Sequence, residues 1–532
     1  MSAGDERPPA PPAASADDQR PAGASAGEDE RTGELGPSRH GLAQLIDERR
    51  AKAQRLRAGD DSAFPYSFPG AEPIADILDA YAHLAVGEET EDSHRVAGRI
   101  AARRGAGRAA FLDLVDRTGK IQLHARVDVL GKEPFGRLTS LDLGDLLGVD
   151  GAVLRSRHGE LTLRVDRFQV LAKALRPPPD KHHGLIDVET RYRRRELDLI
   201  ANEDARRVFM ARARIIAAVR SYLDGAGFIE VETPILQSLY GGALARPFTT
   251  HHNALERDLY MRIATELYLK RCIVGGLERV YELGKDFRNE GISHKHNPEF
   301  TMVEWYEAYA DYHDEAARLE QVVGAAARAA DYAGELDFSP PWRRLGFVEA
   351  IEQATSIDVT ANRDADDLRA AISARGLDMP THDLTWPQLA DDLLSKFVEP
   401  TLRQPTFVQD YPIELSPLAR EHRSKAGLVE RWEAFAGGME IANAFSELID
   451  PDVQRERFSA QQRLATLGEE EFQPYDETFV QALEQGMPPA GGVGLGIDRL
   501  VMLLTGHDSI REVVLFPAMR ESDPAGPPQP GR

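Results

Sequence analysis

The stretch that decides the fold is Arg279–Asp311, RVYELGKDFRNEGISHKHNPEFTMVEWYEAYAD. We interpret it as a first strand from about Arg279 to Gly284, a polar loop that ends at Pro298, and a second strand from about Glu299 to Tyr309. Side chains along a strand alternate between its two faces. The stretch therefore predicts two neighbouring strands whose outward and inward residues can be read from the sequence.

One face of the second strand carries groups that a protein core rarely contains. Phe300, Met302, Glu304 and Tyr306 share this face, so an aromatic ring, a carboxylate and a phenol stand in one row. Arg288 lies just ahead of the strand, and the arginine fork binds phosphate in a planar, bidentate way. Such a set could hold a nucleotide and an amine together. A half-buried hairpin with a charged rim explains each residue alone, but it explains the polar row poorly.

Composition limits the classes of protein that the chain can belong to. It has 532 residues, of which 42% are hydrophobic and 28% charged, and this length allows two or three globular domains. No apolar run reaches the roughly 18 residues that a membrane helix needs, and no secretory signal is recognisable. The single cysteine, Cys272, excludes an intrachain disulfide and a cysteine metal cluster. We therefore expect a cytoplasmic protein with no membrane partner.

Charge is distributed unevenly along the chain. The net charge is −23, yet residues 95–176 contain 16 Lys and Arg against 9 Asp and Glu, which leaves +7 there and −30 in the remainder. An acidic protein is a poor general binder of nucleic acid. A basic module on an acidic body instead favours selective binding of one RNA.

The N-terminal part divides into four segments. Residues 1–37 are rich in Ala, Pro, Gly, Asp and Ser and are predicted to be disordered. Residues 38–93 form an N-terminal helical segment, with a helix at about 40–58. Residues 94–176 alternate in short runs that predict five strands and an OB-fold β-barrel, a platform for single-stranded nucleic acid. Residues 177–200 begin with a proline-rich run and are interpreted as a hinge.

Two further regions carry chemistry-bearing residues. Glu266 follows Thr265, a plausible helix N-cap, and a carboxylate is favoured in the first helical turn. Glu433, Glu440 and Glu447 recur every seven residues, but Gly437 and Gly438 lie between the first two and would break a helix, so we predict strand, turn and strand. Hard Mg²⁺ binds carboxylate oxygens together with substrate phosphates.

The residues quoted above resemble a known family. FRNEG (residues 287–291) followed by HNPEFTMVEWYEAYADY (residues 296–312) resembles motif 2 of the class II lysyl-tRNA synthetases. A helix at about 203–224, stopped at Gly225 and capped by Asn202, precedes a strand that ends at Pro234, and this pair resembles motif 1. GLGIDRLVMLL (residues 494–504) resembles motif 3. The resemblance covers about 94–520.

This resemblance implies an α+β fold class. The expected architecture is a class II aminoacyl-tRNA synthetase antiparallel-sheet catalytic domain at 201–520, with an insertion at about 314–406, behind the N-terminal OB-fold β-barrel. The final residues, 521–532, are predicted to be a disordered tail. The implied reaction is ATP-dependent activation of L-lysine to lysyl-adenylate, with Mg²⁺, followed by transfer to the 3′ end of tRNA(Lys). Motif 1 implies a homodimer.

The resemblance also assigns roles to individual residues. Catalysis is assigned to Arg288 and Arg499. ATP binding is assigned to Arg288, Glu290, His296, Asn297, Phe300 and Arg499. Lysine binding is assigned to Gly242, Glu266, Glu304, Tyr306, Asn443 and Glu447. Metal binding is assigned to Glu433 and Glu440, and anticodon binding to Arg104, Phe111, Gln122 and Glu160.

Three departures from the family pattern keep other interpretations open. Glu196 stands where the family often has tyrosine, Leu244 replaces a serine, and Ile449 replaces an asparagine. One alternative is therefore a paralogue that activates lysine or a related amine for an acceptor other than tRNA. Another is a catalytically inactive RNA-binding regulator. The structural alternatives for single residues are that Phe111 belongs to the barrel core and that Glu266 only complements its helix terminus.

Overall fold

The computed structural model of the chain describes residues 39–59, 64–105, 107–179, 185–382, 384–466 and 473–520. The predicted N-terminal extension, residues 1–37, and the predicted tail, residues 521–532, lie outside the described residues. The chain forms two compact units that divide between Pro177 and Pro178. Each unit has its own buried apolar cluster.

The first unit is a small β-barrel with flanking helices. Its helices are α1 (Arg39–Ala58), α2 (Ile74–Ala80), α3 (Val127–Leu130) and α4 (Lys132–Thr139). Its strands are β1 (Glu89–Arg104), β2 (Ala109–Val115), β3 (Lys120–Arg126), β4 (Leu146–Arg155), β5 (Leu161–Arg164) and β6 (Arg167–Ala172). The strands pair in the order β1–β2–β3–β5–β4–β6, and β1 also pairs with β4, which closes the sheet on itself.

The prediction of five strands in the barrel is wrong, because the described residues of this region form six. The last predicted strand is two strands, and the break lies between Arg164 and Arg167. β5 pairs with β3 and with residues 153–155 of β4, whereas β6 pairs with residues 146–150 farther along the same edge of β4, because β1 occupies the opposite edge. At the break, the N–H of Val165 donates to the carbonyl of His124 on β3 at 3.0 Å and that of Asp166 donates to the carbonyl of Asp150 on β4 at 2.9 Å, so the chain changes its partner strand there.

Helix α1 is tied to its unit by one buried arginine. Nη1 of Arg49 donates hydrogen bonds to the carbonyl oxygens of Leu143 at 3.1 Å, Ala174 at 3.1 Å and Arg176 at 3.3 Å. The helix thus occurs where the sequence predicts one, and one of its arginines, Arg49, stabilises the fold.

The second unit contains the remaining elements. Its helices are α5 (Val188–Arg193), α6 (Arg195–Ala201), α7 (Glu203–Gly225), α8 (Glu266–Val274), α9 (Tyr312–Ala329), α10 (Phe347–Thr355), α11 (Ala365–Ala374), α12 (Trp386–Leu393), α13 (Pro451–Thr466), α14 (Glu477–Leu483), α15 (Ile497–Thr505) and α16 (Ile510–Val513). Short 3₁₀ and π turns are Asn253–Leu255, Leu394–Val398, Glu399–Thr401 and Ile413–Leu415. Within the described part of the chain, no helix combines the length and the apolar character needed to cross a lipid bilayer.

An eight-stranded sheet forms the centre of the second unit. The strands of the unit are β7 (Ile229–Glu230), β8 (Leu236–Gln237), β9 (Thr249–His252), β10 (Arg257–Met261), β11 (Arg279–Phe287), β12 (Glu299–Ala308), β13 (Arg343–Gly346), β14 (Thr406–Pro412), β15 (Leu428–Ala436), β16 (Met439–Ser446) and β17 (Ala490–Gly496). The sheet order is β13–β14–β15–β16–β17–β12–β11–β7, and β8, β10 and β9 form a separate small sheet. Neighbours in the large sheet are antiparallel except β13–β14 and β7–β11.

Strand β12 lies inside this sheet between β11 and β17. Val303 and Trp305 point to one face and are fully buried in a core that α7 and α9 cover. Met302, Glu304 and Tyr306 point to the other face, where they line a cavity. The alternation therefore runs as the sequence predicts, with the polar row on the cavity side.

The segment predicted as a hinge, 177–200, contains α5 and α6 in its second half. The fully buried guanidinium of Arg195 donates to the carbonyl oxygens of Arg511 at 2.6 Å and Leu515 at 2.9 Å. These helices therefore belong to the second unit, which starts at Pro178.

Two predictions near the start of the second unit hold only in part. Asn202 is at the N-cap position of α7, as predicted, but its side chain makes no capping hydrogen bond; its Nδ2 instead donates to Asp198 Oδ1 at 2.6 Å, a charged acceptor one turn earlier. The strand predicted from Phe228 is only β7, two residues long and parallel to β11. The segment interpreted as an insertion, 314–406, starts within α9, which packs into the core of the sheet.

Burial of one carboxyl links the stability of the second unit to pH. Glu315 on α9 is fully buried, and its Oε2 accepts a hydrogen bond from Trp305 Nε1 at 2.7 Å. Burial raises the pKa of Glu315 from the ordinary 4.5 to about 8. Since the folded-state pKa is the higher one, the stabilisation is complete below about pH 4.5 and is lost as the pH rises through 8.

Replacing Glu315 by glutamine is therefore expected to raise the melting temperature at pH 9 by about 2–4 °C and to change it little at pH 5. The amide oxygen can still accept the hydrogen bond of Trp305, and no proton has to be released at high pH. Thermal melts from pH 5 to pH 9 measure this. Glu352→Gln, at an exposed position of α10, is the matched control and should follow the wild type. Parallel curves for Glu315→Gln and wild type would contradict the prediction.

Candidate active site

A cavity of about 410 Å³ opens on the polar face of β12. It gathers twelve of the fourteen site residues that the sequence predicts for this unit: Gly242, Glu266, Arg288, Glu290, His296, Asn297, Phe300, Glu304, Tyr306, Glu440, Asn443 and Arg499. Glu433 and Glu447 are not part of its lining. The cavity is basic at one end and acidic at the other, as the following contacts establish.

The basic end begins at Arg288, directly after β11. Its backbone N–H donates to the carbonyl of Pro298 at 2.9 Å, which closes the loop between β11 and β12. Its guanidinium carbon lies 5.0 Å from the centroid of the Phe300 ring, and Nε lies 3.4 Å from the carbonyl oxygen of Ile263. The stacking on Phe300 fixes the plane of a fork that can bind a phosphate and a carboxylate together.

Arg499 supplies a second cation at this end. It lies in the first turn of α15, and its Nη1 donates to Glu440 Oε2 at 3.0 Å. Its Nη2 donates to His296 Nε2 at 3.2 Å. Burial, followed by the charge of Arg499, lowers the pKa of His296, so the ring is neutral and accepts this hydrogen bond at pH 7.

Asn297 has a structural part in the same region. Its Nδ2 donates to the carbonyl of Glu299 at 2.6 Å, and its Oδ1 accepts from the backbone N–H of Ala518 at 3.0 Å. The amide therefore anchors the loop ahead of β12 as well as lining the cavity. Glu290, in contrast, lies at the exposed edge of the cavity.

The two residues predicted to bind metal differ in their surroundings. Glu440 lines the cavity, with its side chain 37% exposed. Glu433 is held by Arg431 Nη2 at 2.6 Å and by the hydroxyl of Tyr411 at 2.8 Å, and burial raises the pKa of Glu433 to about 7. Among the described residues no cluster of three or more His, Cys, Asp or Glu side chains is arranged to hold a metal by itself.

The donor set nevertheless suits Mg²⁺ that arrives with a nucleotide. Such an ion usually takes one or two carboxylates from the protein and its other ligands from phosphates and water. Glu440 offers its carboxylate to the cavity, and Glu433 would have to exchange Arg431 or Tyr411 for the ion. The carboxylates of Glu440 and Glu433 are therefore suited to hold a Mg²⁺ ion that arrives with a nucleotide.

The acidic end of the cavity is built on β12 and α8. Glu304 accepts a hydrogen bond from the backbone N–H of Thr265 at 3.2 Å, and the hydroxyl of Tyr306 lies 3.4 Å from its other oxygen. Burial, together with the charges of Asp286 and Glu266, raises the pKa of Glu304 to about 8. An ammonium group next to Glu304 would supply the counter-charge that restores its ionisation.

Glu266 opens α8 and meets Lys270 one turn later. Nζ of Lys270 lies 2.5 Å from Glu266 Oε1 and also contacts Glu447 Oε2. The side chains of Lys270 and Glu447 have no exposed surface. Thr265 is at the N-cap position, but its side chain makes no capping hydrogen bond. Glu266 thus does more than complement a helix terminus, since it shares a buried cation with Glu447.

A glycine closes the wall beside Glu266. Gly242 has a φ of +90°, and a Cβ there would lie 2.9 Å from the Cβ of Glu266. Its backbone N–H donates to Gln473 Oε1 at 2.9 Å. Only glycine combines this backbone conformation with so close an approach.

Several lining residues were missed by the sequence reasoning. Arg431 binds Asn443 Oδ1 through Nε at 2.9 Å, which orients a predicted site residue. Gln473 reaches the cavity from a distant part of the chain, and no local pattern indicates it. Lys270 lies four residues after Glu266, and this spacing indicates an ion pair on one face of a helix. Such pairs usually lie on the protein surface, so the spacing does not predict that Lys270 is buried.

The barrel brings the four predicted anticodon residues to one face. Arg104, Phe111 and His124 are direct neighbours across β1, β2 and β3, and Phe111 stacks on His124 with centroids 4.6 Å apart. Nε2 of Gln122 donates to Glu160 Oε2 at 2.7 Å. Phe111 lies outside the barrel core, so its ring belongs to the face that Arg104 and Gln122 share.

The three departures from the family pattern lie in different surroundings. Leu244 lines the cavity and is 42% exposed. Ile449 packs against an apolar cluster that includes Tyr306. Glu196 forms an exposed ion pair with Arg194 at 2.6 Å. Only Leu244 can contact a ligand in the cavity directly.

Comparison with known proteins agrees with this geometry. A family model described as "tRNA synthetases class II (D, K and N)" matches residues 187–520. The chain belongs to the class II tRNA synthetases. A second model, "OB-fold nucleic acid binding domain", matches residues 94–171 of the synthetase. The predicted fold class, an α+β protein with an antiparallel-rich catalytic sheet and an OB-fold domain, is confirmed.

Curated relatives are similar to the synthetase along most of its length. "Lysine--tRNA ligase" of Prochlorococcus marinus (strain MIT 9303) is 49% identical over 495 residues, which cover 90% of this chain and 97% of the relative. The protein of the same name from Synechococcus sp. (strain CC9605) is 49% identical over 498 residues, covering 92% and 99%. That of Carboxydothermus hydrogenoformans is 46% identical over 490 residues, covering 91% and 99%.

Proposed function

We propose that the synthetase is a lysine–tRNA ligase, which activates L-lysine with ATP and transfers it to the 3′ end of tRNA(Lys). The observation that carries this proposal is a cavity with buried carboxylates at one end and two arginines at the other. A free amino acid with a second amine needs acidic partners for its cations, and a triphosphate needs basic ones. The names of the relatives support the same activity.

In the proposed complex, lysine lies along the acidic end. Glu266, Tyr306 and Glu447 surround its ε-ammonium group, and Glu304 binds its α-ammonium. Asn443 binds the carboxylate, and the absence of a side chain at Gly242 leaves room for the amino end. A neutral analogue such as norleucine would leave buried carboxylates without a partner, which costs several powers of ten in discrimination.

ATP occupies the basic end in the same proposal. Phe300 stacks on adenine, while Arg288 binds the α-phosphate and the lysine carboxylate together. His296, Asn297 and Arg499 line the triphosphate, with Glu290 at the edge of the nucleotide. The stacked geometry of Arg288 and Phe300, at 5.0 Å, supports this division of roles.

Glu440 and Glu433 would hold the Mg²⁺ that accompanies ATP, and the ion would neutralise phosphate charge.

The chain's own groups position both reactants. A carboxylate oxygen of lysine attacks the α-phosphorus, the bond to pyrophosphate breaks, and lysyl-adenylate remains. A terminal ribose hydroxyl of tRNA then attacks the lysyl carbonyl, and AMP leaves. Neither step needs a covalent enzyme intermediate, so positioning and charge stabilisation account for catalysis.

The barrel is proposed to bind the anticodon through Arg104, Phe111, Gln122 and Glu160. Aromatic side chains on such barrels stack on bases, and amide and carboxylate groups bind base edges. The shared face of Phe111, Arg104 and Gln122 supports this role. The net positive charge of residues 95–176 favours RNA as the partner.

A cytoplasmic homodimer is also part of the proposal. Ile229, Ile235 and Leu236 are 49%, 45% and 49% exposed, and neighbouring apolar side chains of this kind favour burial in a protein interface. Light scattering should give the mass of two chains. A monomer that retains full charging activity would overturn the dimer.

The function is tested by ATP–pyrophosphate exchange and tRNA charging with each amino acid in turn. Exchange and charging by lysine alone are expected. Exchange without charging would favour a paralogue with another acceptor, and tRNA binding without exchange would favour an inactive regulator. Exchange driven by another amino acid would overturn the proposed specificity.

Substitution of Gly492 tests the lysine end of the cavity. A Cβ at Gly492 would lie 2.2 Å from Glu447 Oε1 and 2.3 Å from the ring of Tyr306. Gly492→Ala therefore has to displace two groups proposed to hold the ε-ammonium, and we expect the KM for lysine in pyrophosphate exchange to rise by about 100-fold. The KM for ATP should change less than fivefold.

Gly494 on the same strand is the matched control. A Cβ there would lie 2.9 Å from Cε of Met302, the far end of a flexible side chain, and 3.7 Å from Glu304. Gly494→Ala should therefore raise the lysine KM less than about fivefold. Equal effects of the two substitutions would argue that strand β17, rather than the lysine site, was disturbed.

A further inference from the structure

The carboxylates proposed to select lysine already hold a cation of the protein itself. Lys270 Nζ lies 2.5 Å from Glu266 Oε1 and contacts Glu447 Oε2, and it lies 5.5 Å from the centroid of the Phe445 ring. Glu266 lines the cavity, whereas Lys270 is fully buried and approaches the pair from the core side. The ammonium group of Lys270 is thus chemically the same as the tip of the proposed substrate.

The carboxylate of Glu447 has binding capacity that Lys270 leaves unused. Glu447 is 1% exposed, and neither of its oxygens has a hydrogen-bond partner of normal geometry among the described residues, although Lys270 touches Oε2. Its Oε1 lies close to Gly492, which lines the cavity. A buried carboxylate oxygen without a donor is costly, so this geometry points to a missing cationic or hydrogen-bonding group.

Charge counting gives the same result. With both carboxyl groups ionised, the Glu266–Glu447 pair and Lys270 carry one negative charge in excess. Burial raises the pKa of Glu266 and holds the pKa of Glu447 well above its ordinary value, so the pair holds a proton when no substrate cation is bound. Although complete burial would lower the pKa of Lys270, the carboxylates of Glu266 and Glu447 hold its pKa above the ordinary value. Lys270 therefore stays charged. Glu304 is not counted, because it faces the proposed α-ammonium group, and Tyr306 is neutral since burial raises its pKa.

We propose that Lys270 is an internal counter-cation that leaves the Glu266–Glu447 pair one positive charge short of neutrality, so that the cavity selects a substrate with one ammonium group at this position. Lys270 is a positioning residue that determines specificity, and it acts through the two carboxylates rather than by contact with the substrate. This inference rests on the proposed lysine specificity. Alternating ammonium and carboxylate groups in the occupied pocket would form a neutral set of four charges.

The first test is Lys270→Met, which removes the cation and keeps an unbranched side chain. Without the charge of Lys270, which lowers the pKa of both carboxyl groups, the pair is expected to bind protons more tightly, and the substrate has to compete with them. The KM for lysine in pyrophosphate exchange should rise on the order of 100-fold, with kcat at saturating lysine and the KM for ATP within about threefold. Arg271→Met, on another face of α8 where Arg271 pairs with Asp476 at 3.0 Å, is the matched control and should leave all three constants unchanged.

A double variant separates charge balance from a merely structural role. Glu266→Gln leaves one carboxylate with Lys270, a neutral cluster with no need for a substrate cation. Adding Lys270→Met restores one net negative charge. The double variant is therefore expected to bind lysine at least tenfold more tightly than Glu266→Gln in calorimetric titration, and to regain preference for lysine over norleucine. The double variant also keeps the proposal testable if Lys270→Met alone does not fold, because it does not leave two carboxylates buried together without a cation.

The outcomes distinguish this inference from the proposed function. Absence of lysine-dependent exchange in the wild type would overturn the function itself. Wild-type exchange together with an unchanged lysine KM in Lys270→Met would overturn only the role of Lys270. A folded double variant that binds lysine no better than Glu266→Gln would also overturn only the role of Lys270. A second substitution cannot restore packing that the first one removed, so only charge balance predicts tighter binding by the double variant.

Discussion

Glu266→Gln is expected to lower kcat/KM for lysine in pyrophosphate exchange about a thousandfold while the protein remains folded. The substitution removes one charge from the Glu266–Glu447 pair and leaves Lys270 as a sufficient counter-ion for the other. The amide can still occupy the same volume at the start of α8. The loss should therefore appear in lysine recognition, with the KM for ATP nearly unchanged.

Glu266→Asp gives the graded comparison for this prediction. It keeps the charge but withdraws the carboxylate from Lys270, so an intermediate loss is expected. Glu278→Gln, at an exposed position ahead of β11, controls for the removal of a glutamate from the surface. Near wild-type lysine activation by Glu266→Gln would show that Glu266 does not bind lysine. The acidic end of the cavity would then have to bind a different ligand.

Replacement of Arg288 is expected to give the second large effect. Arg288→Met should lower kcat for pyrophosphate exchange by about 10³-fold, because the guanidinium is proposed to bridge the α-phosphate and the attacking carboxylate. Arg288→Lys keeps the charge but loses the planar fork, so a loss of about 100-fold is expected. The lysine Kd measured without ATP should change less than the rate, since the negative charge that builds up on the α-phosphate oxygens develops only during the reaction.

Lys285 provides the matched control for Arg288. It lies on β11, three residues before Arg288, and its Nζ lies 3.6 Å from Glu299, an exposed partner. Lys285→Met should therefore change kcat less than about threefold. A similar loss in both variants would indicate that β11 was disturbed, and unchanged exchange in Arg288→Met would exclude Arg288 from the reaction centre.

The hairpin of β11 and β12 was largely predictable, because the pattern that determines it lies within one short stretch of the sequence. The alternation of Phe300, Met302, Glu304 and Tyr306 with Val303 and Trp305 determines which side chains face the cavity once the strand is recognised. The loop before it is marked by glycine, proline and polar residues, and Arg288 follows directly from the strand boundary. Seven of the twelve predicted residues that line the cavity come from this hairpin and its loop.

What the sequence did not show depends on contacts between distant segments. Gln473 and Gly242 are joined by a hydrogen bond across 231 positions, and neither has a local pattern that requires the other. The burial of Lys270 depends on Glu447, which comes from a different strand. The fifth predicted barrel strand is divided in two at Val165, whose N–H donates to His124 on β3, and periodicity in a single sequence carries no information on such a change of partner strand.

The assignment of Glu433 shows the limit of reasoning from residue type. The resemblance assigns both Glu433 and Glu440 to Mg²⁺, but Arg431 and Tyr411 hold Glu433 while Glu440 faces the cavity. A β-bulge between Ala434 and Phe435 breaks the simple alternation on this strand pair. Equal spacing in sequence therefore does not give equal exposure in the sheet.

The alternation along β12 also determines where chain length can vary during evolution. A single inserted or deleted residue between Glu299 and Glu304 would turn Trp305 toward the cavity and bury the carboxylate of Glu304 against α9. The loop between Arg288 and Pro298 is not subject to this alternation, but Glu290, His296 and Asn297 in it line the cavity. Related chains should therefore keep the strand free of gaps.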